Sequence, residues 1–228
     1  MKVGEGLEGL ARLRLSQGEL GFVFFEFSAL AVSTRDHRLL FDPAGAVGPK
    51  DLSSWKPHLL LVTHEHFDHL EPSNLVELQR ASGATVVCNP GSHSSLRGKV
   101  GKLAELREGK TVEVEGARVT GIRAEHPAEE PLMFLVESGG LRIFHGSDSS
   151  FNPEMEKHRA DVAFLPAGAP SPTASVEDAL RMAKALGCRW AVPFHCLEEE
   201  AEEFGRRAGK ELPGVRVVIP ERGKVYKL

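Results

Sequence analysis

The chain has 228 residues, 41% of them hydrophobic and 26% charged, which is the make-up of one soluble globular domain with a core of useful size. A formal net charge of -4 gives no general attraction to nucleic acid or to an anionic membrane. Three cysteines, Cys88, Cys188 and Cys196, with no Cys-x-x-Cys pair exclude a disulfide framework and point to a reducing compartment.

Acidic residues Glu5 and Glu8 stand where a secretory signal needs a basic flank, and no apolar run reaches spanning length, so a cytoplasmic protein is expected. Residues 1 to 20 carry no pattern that places them. Leu10 to Asp42 reads as several strands broken at Gln17-Gly18, Gly21 and Thr34-Arg35-Asp36. Gly21 to Phe27 is apolar on both alternating faces, which fits either a strand buried on two sides or an oligomer surface. Arg38-Leu39-Leu40-Phe41-Asp42-Pro43 is a strand ending in an aspartate that, taken by itself, reads as a solvated turn residue.

His58-Leu59-Leu60-Leu61-Val62 reads as a buried strand that runs straight into Thr63-His64-Glu65-His66-Phe67-Asp68-His69. Alternate residues of an extended segment share a face, so His64 and His66 can bind one ion, while Asp68 and His69 project from the following turn toward a second. Burying three histidines and an aspartate within six residues would be costly without a ligand. The zinc-protease pattern His-Glu-x-x-His is excluded, because Asp68 stands where its second histidine belongs.

Beyond this point strand and helix alternate. The pattern predicts helix over 74–81, strand over 84–88 and a loop or short helix over 90–96, with His93 facing solvent or substrate. Four strands follow, over 111–114, 117–124, 132–136 and 141–144, and His126 and Asp148 lie just past the ends of two of them. The last third reads as strand 161–166, helix 175–186, strand 190–194 delivering His195, a charged helix 198–207 and a closing strand 215–219. Cys196, next to His195, is either small apolar filling or a reactive thiol.

The stretch from His64 to His69 resembles the His-x-His-x-Asp-His signature of the metallo-β-lactamase superfamily. That resemblance implies an αβ/βα fold, a four-layer sandwich of two sheets face to face with helices outside, spanning residues 1–228 as one domain. It implies a first metal held by His64, His66 and His126, a second by Asp68, His69 and His195, and Asp148 bridging the two. The strand ending in Asp42-Pro43 also resembles the superfamily's, which implies for Asp42 a second reading as the partner of a metal-binding histidine. The ions would be divalent transition metals, with zinc expected and manganese or iron also suited to imidazole. Asp68 and His145 are the candidate catalytic residues, His145 being either a proton-transfer group or a packing residue.

The implied activity is hydrolysis of a small ester, lactone or phosphoester by a hydroxide bound between two metals. The alternatives are a nuclease of the same superfamily or a non-catalytic metal-binding module. Small single-domain hydrolases that include the ascorbate-6-phosphate lactonase group look similar around 56–63, 144–148 and 191–195. The chain departs from them at Phe25 to Ala29, which lacks a Gly-His pair, and at Ala167 to Thr173, which lacks a histidine or aromatic. Substrate walls are expected from 89–97, 128–131 and 167–173, with Arg97 and Lys99 available for one phosphate. The expected partner is a small molecule; nucleic acid and membrane are not expected, and a homo-oligomer is possible.

Overall fold

The computed structural model describes residues 2–228. The chain begins with helix α1 (Val3–Ala11), then β1 (Leu20–Phe24), β2 (Leu30–Thr34), β3 (Arg38–Phe41) and β4 (Leu59–Val62). Helix α2 (Pro72–Ser82), β5 (Thr85–Cys88), α3 (Pro90–Leu96) and β6 (Leu103–Glu105) complete the first half. The second half is β7 (Thr111–Val114), β8 (Ala117–Arg123), β9 (Leu132–Ser138), β10 (Leu141–His145), β11 (Val162–Pro166), α4 (Val176–Leu186), β12 (Trp190–Phe194), α5 (Glu198–Glu211), β13 (Arg216–Val217) and β14 (Val225–Lys227).

Two seven-stranded sheets result, in the orders β14-β1-β2-β3-β4-β5-β6 and β13-β12-β11-β10-β9-β8-β7. Each is antiparallel on one side and parallel on the other, the change falling at β3 in the first and β10 in the second. The strands are apolar on both faces because each sheet is covered twice. Leu59 and Leu61 of β4 meet Phe134, Ile143 and Phe164 of the opposite sheet, whereas Leu60 and Val62 pack outward with Leu75 and Leu78 of α2. The second sheet repeats this, turning Phe144, Ala163 and Leu165 toward Ala179, Leu180, Ala183 and Leu186 of α4. Those four positions recur at helical spacing, and Ser175 caps the helix by accepting the Asp178 N–H. Fully burying a leucine is worth about 1.5–3 kcal/mol, so three such cores, not the surface ion pairs, hold the layers together. The expected four-layer α/β sandwich is the fold observed.

One expectation needs correction, and two stretches that the sequence left unplaced gain elements. The strand expected to reach Phe27 stops at Phe24: residues 25–29 turn, with the Ala29 N–H donating to Glu26 O at 2.7 Å and the Phe25 N–H to Ala29 O at 3.0 Å. Within the strand two-sided burial accounts for the apolar faces, since Phe22 lies between the sheets and Val23 beneath α1. Residues 3–11, unplaced from sequence, form an amphipathic helix that buries Leu7 and Leu10 on the first sheet. The last residues add β14 beside β1, an edge pairing between chain ends that no local pattern announces.

The two sheets meet at one end. There the Leu132 N–H donates to Thr63 O at 3.1 Å, tying the end of β4 to the start of β9. The carboxyl ends of β4, β8, β10 and β12 open at that same end, which is where ligands bind in sheets of this kind.

Candidate metal centre

The loop after β4 brings His64, His66, Asp68 and His69 to the end where β8 delivers His126, β10 delivers Asp148 and β12 delivers His195. These seven side chains form two groups whose potential ligand atoms lie within 4.8 Å of one another. His64, His66 and His126 make one; Asp68, His69, Asp148 and His195 make the other.

In the first group, His66 Nδ1 and His126 Nε2 are 3.1 Å apart, and the His64 ring stands 4.6 and 4.7 Å from those of His66 and His126. Desolvation, with the neighbouring imidazoles adding to it, drives the His64 pKa far below the ordinary range, so the ring is neutral and keeps a lone pair. His126 is likewise held down by burial. In the second group Asp148 Oδ1 lies 2.8 Å from His69 Nε2 and 3.1 Å from His195 Nε2, while Asp148 Oδ2 is 3.8 Å from His126 Nε2. Asp148 therefore stands between the groups with one oxygen toward each. Asp68 Oδ2 is 3.3 Å from His195 Nε2.

Asp42 resolves to the partner of a histidine. Its Oδ2 accepts from His69 Nδ1 at 2.8 Å and from the Thr63 hydroxyl at 2.8 Å, and its Oδ1 accepts the Thr63 N–H at 2.8 Å. This fixes the proton of His69 on Nδ1 and aims Nε2 into the centre, as carboxylates behind metal-binding imidazoles do. Burial opposes charge on His69, but Asp42 and Asp148 outweigh it and raise its pKa to about 10, so the pocket attracts positive charge. Asp42 pays in backbone strain, with φ at 41°, a region that aspartate tolerates better than most residues.

The donor set fits bound cations. His64 Nε2 and His69 Nε2 are buried with no aligned hydrogen-bond partner, the Asp148 contact to His69 being close but badly directed. An unsatisfied buried polar atom costs about 1–3 kcal/mol, and two facing one centre call for a ligand between them.

His145 sits elsewhere. It is fully buried, stacked on Phe41 at 4.7 Å and close to Phe194, with Nε2 donating to Ser28 O at 3.2 Å and Nδ1 accepting the Ser147 N–H at 3.3 Å. Both nitrogens are occupied by backbone groups, so the geometry is that of the packing residue. Gly146 follows because an added Cβ there would press on Pro166 and on Phe164 O, and that close approach carries Asp148 into place.

Sequence reading missed several contributors. Ser171 and Thr173 both donate to Asp148 O, at 2.8 and 2.7 Å, and Thr173 Oγ1 also reaches His126 Nδ1 at 3.2 Å. The Ser28 hydroxyl approaches Asp148 Oδ1 at 3.5 Å from the turn that lacks the Gly-His pair. Glu65 accepts the Glu129 N–H at 2.8 Å and an Asn89 amide hydrogen at 3.2 Å, locking loop to loop. Small hydroxyl residues in turns leave no sequence signal until their partners are known.

Two wall expectations shift. Lys99 lines a groove with Glu71, Glu77 and Arg80 on the outer side of α2, away from the metal centre. His93, expected to face solvent or substrate, stays partly exposed to solvent and pairs with Glu105 at 3.2 Å. Cys88 and Cys188 are buried and Cys196 half-buried, all free, and burial pushes each thiol up to about 12.

A family model describing beta-lactamase superfamily domains matches residues 37–196, a span that contains all seven clustered side chains. The chain belongs to the metallo-β-lactamase superfamily. Among its relatives, a UPF0173 metal-dependent hydrolase of Thermoplasma acidophilum is 31% identical over 209 residues, 85% of this chain and 89% of that protein. Another, from Rubrobacter xylanophilus, is 31% identical over 204 residues, covering 76% of this chain and 83% of its own. A metallo hydrolase of Ignicoccus hospitalis, Igni18, has the same fold, with a TM-score of 0.79 at 21% identity over 92% of this chain and 98% of that one. Among the described residues no helix is long and apolar enough to cross a membrane.

Proposed function

We propose that the protein is a hydrolase of small esters, lactones or phosphoesters that works with two divalent transition-metal ions, zinc by preference and manganese or iron as alternatives. The observation that carries the reading is the pair of buried, unpartnered Nε2 atoms on His64 and His69, each belonging to a different group of the centre. His64, His66 and His126 would hold the first ion, Asp68, His69 and His195 the second, and Asp148 both. When bound, a pair of such ions lowers the pKa of a shared water and polarises the carbonyl or phosphoryl oxygen of the substrate.

The chain's own residues supply position and proton management. Asp42 keeps the His69 proton on Nδ1, and Thr173 orients His126 while holding the backbone of Asp148. Asp68 keeps 12% of its side chain in contact with solvent, so a proton that its carboxylate takes from the attacking water has a way out. His145 adds packing to this and no proton transfer.

A long polyanion is disfavoured by the surroundings. The hollow behind His126 is lined by Glu108, Glu125 and Glu130, and its one arginine, Arg123, lies 3.4 Å from Glu125, while Arg107 outside it pairs with Glu130 at 2.8 Å. The deciding experiment is a panel: metal-loaded protein against bis-p-nitrophenyl phosphate, a lactone series, a β-lactam and a labelled RNA, with Asp68→Ala as the blank. Turnover of the small compounds that depends on Asp68 is expected. Asp68-dependent cutting of RNA with none of the small compounds turned over would replace this reading with a nuclease.

A further inference from the structure

Beside His195 the centre opens into a cavity of 730 Å³, within the range of small-molecule sites. Its walls are mostly apolar: Phe24 from the end of β1, Phe27 from the turn that follows, Pro170 from the loop after β11, Leu197 and Ala201 from the start of α5, and Ile219 after β13. The Phe27 ring stands 5.8 Å from the His195 ring, so the cavity is continuous with the metal centre. Large exposed apolar side chains among the described residues are Phe67, Leu197 and Ile219, at 84, 53 and 43% exposure. Two of them line this cavity, and the third lies between His66 and Asp68. One exposed apolar residue needs no explanation, but a concentration at one mouth does.

The walls are also held. The Glu200 carboxylate accepts the N–H of Ala169 at 2.9 Å and of Leu197 at 2.8 Å, tying the loop to the helix start across the cavity. Gly168 leaves room for that carboxylate, which a Cβ would displace from both N–H groups. An anionic tail would meet Glu198 and Glu221 at the rim, and Arg222 is turned toward Glu26 at 3.8 Å.

We propose that this cavity is an acyl subsite: it takes the uncharged hydrocarbon part of an ester or lactone whose carbonyl sits at the metal centre. This rests on the hydrolytic reading above and narrows it, from small esters, lactones and phosphoesters in general to esters and lactones that carry a medium-chain aliphatic or an aryl group. Hydrolysis itself is balanced by water alone, its oxygen joining the acyl carbon while the alcohol oxygen leaves with the bonding pair and takes a proton.

Two measurements test the subsite. With zinc-loaded protein, kcat/KM on p-nitrophenyl esters should climb from acetate to octanoate, by up to about fourfold for each methylene that is fully buried. In Ala201→Phe, which fills the cavity, and in Ile219→Asp, which charges its mouth while leaving the core alone, the octanoate-to-acetate ratio should fall toward one. Independently of catalysis, the uncharged dye Nile red should bind the wild type at one per chain, be displaced by 1-octanol, and bind neither variant. Dye binding that the variants abolish, with turnover of phosphodiester but of no ester or lactone, would overturn the acyl role, and with no turnover of any small compound of the panel it would overturn the hydrolytic reading instead. Asp68-dependent ester turnover with no chain-length trend and no displaceable dye would overturn the subsite. So would a wild-type dimer by light scattering that Ile219→Asp makes monomeric, since a second copy would then be the occupant.

Discussion

Removing the Asp42 carboxylate should cost the protein one metal ion before it costs the fold. In Asp42→Ala three donors lose their acceptor at once: the Thr63 N–H, the Thr63 hydroxyl and His69 Nδ1–H, all at 2.8 Å and all buried. At about 1–3 kcal/mol for each unsatisfied group, and allowing for incomplete additivity, the loss is on the order of 3–6 kcal/mol, a large share of the stability of an ordinary domain. Asp42→Asn is therefore the cleaner perturbation. Asparagine tolerates the φ of 41° and keeps the volume, but its amide has a single oxygen to accept with and would present donor hydrogens toward Thr63 or His69. Loss of such a carboxylate behind a metal-binding histidine typically weakens metal affinity by about 10–100-fold. The expected result, read by zinc competition against a chromophoric chelator, is that one ion weakens by that factor while the ion of the His64, His66 and His126 group keeps its affinity. Two ions bound by Asp42→Asn with wild-type affinities would refute the role given to Asp42 and with it the assignment of His69 to the second ion.

Metal analysis of the reconstituted wild type should find close to two ions per chain, with His66→Ala and His195→Ala each losing one; a wild type that takes up no zinc, manganese or iron would end the metal reading. Asp148→Ala should weaken both ions together, because its two oxygens face different groups, and unchanged occupancy of both would remove its bridging role. His145→Phe should lower the urea midpoint by the equivalent of about 2–3 kcal/mol, leaving Ser28 O and the Ser147 N–H unpaired, while the metal-loaded enzyme retains turnover; an abolished kcat at full metal occupancy would return His145 to the chemistry. A thiol reagent at pH 8 should label none of Cys88, Cys188 and Cys196 in the folded protein and all three in urea, since burial holds each near 12. The same shift makes the unfolded chain lose thiol protons first, so stability falls as pH rises from 9 toward 12, and Cys188→Ala should flatten that fall.

Much of the candidate centre was legible because its determinants are local. Four of its seven side chains stand within six residues after an apolar run, and the spacing of a strand end and a turn disperses them toward two points. His126, Asp148 and His195 could be picked out because the family resemblance asks for such residues after later strands and each follows a strand-like stretch. The double-sided apolar strands announced a fold in which both sheet faces are covered.

What the sequence left open was settled by contacts between distant segments. Whether Asp42 is a turn residue or a histidine's partner depends on a bond to His69 that is 27 positions away, and whether His145 faces the cleft depends on Ser28 at 117. Residues 3–11 form a helix whose place depends on the sheet beneath it, and β14 has meaning only beside β1, to which nothing in its own three residues points. The apolar cavity is assembled from four separate segments, the farthest apart being Phe24 and Arg222, each unremarkable where it stands. Local pattern determines which chemical groups reach the end of a strand; long-range packing, which has no signature in any one segment, decides what stands behind and beside them.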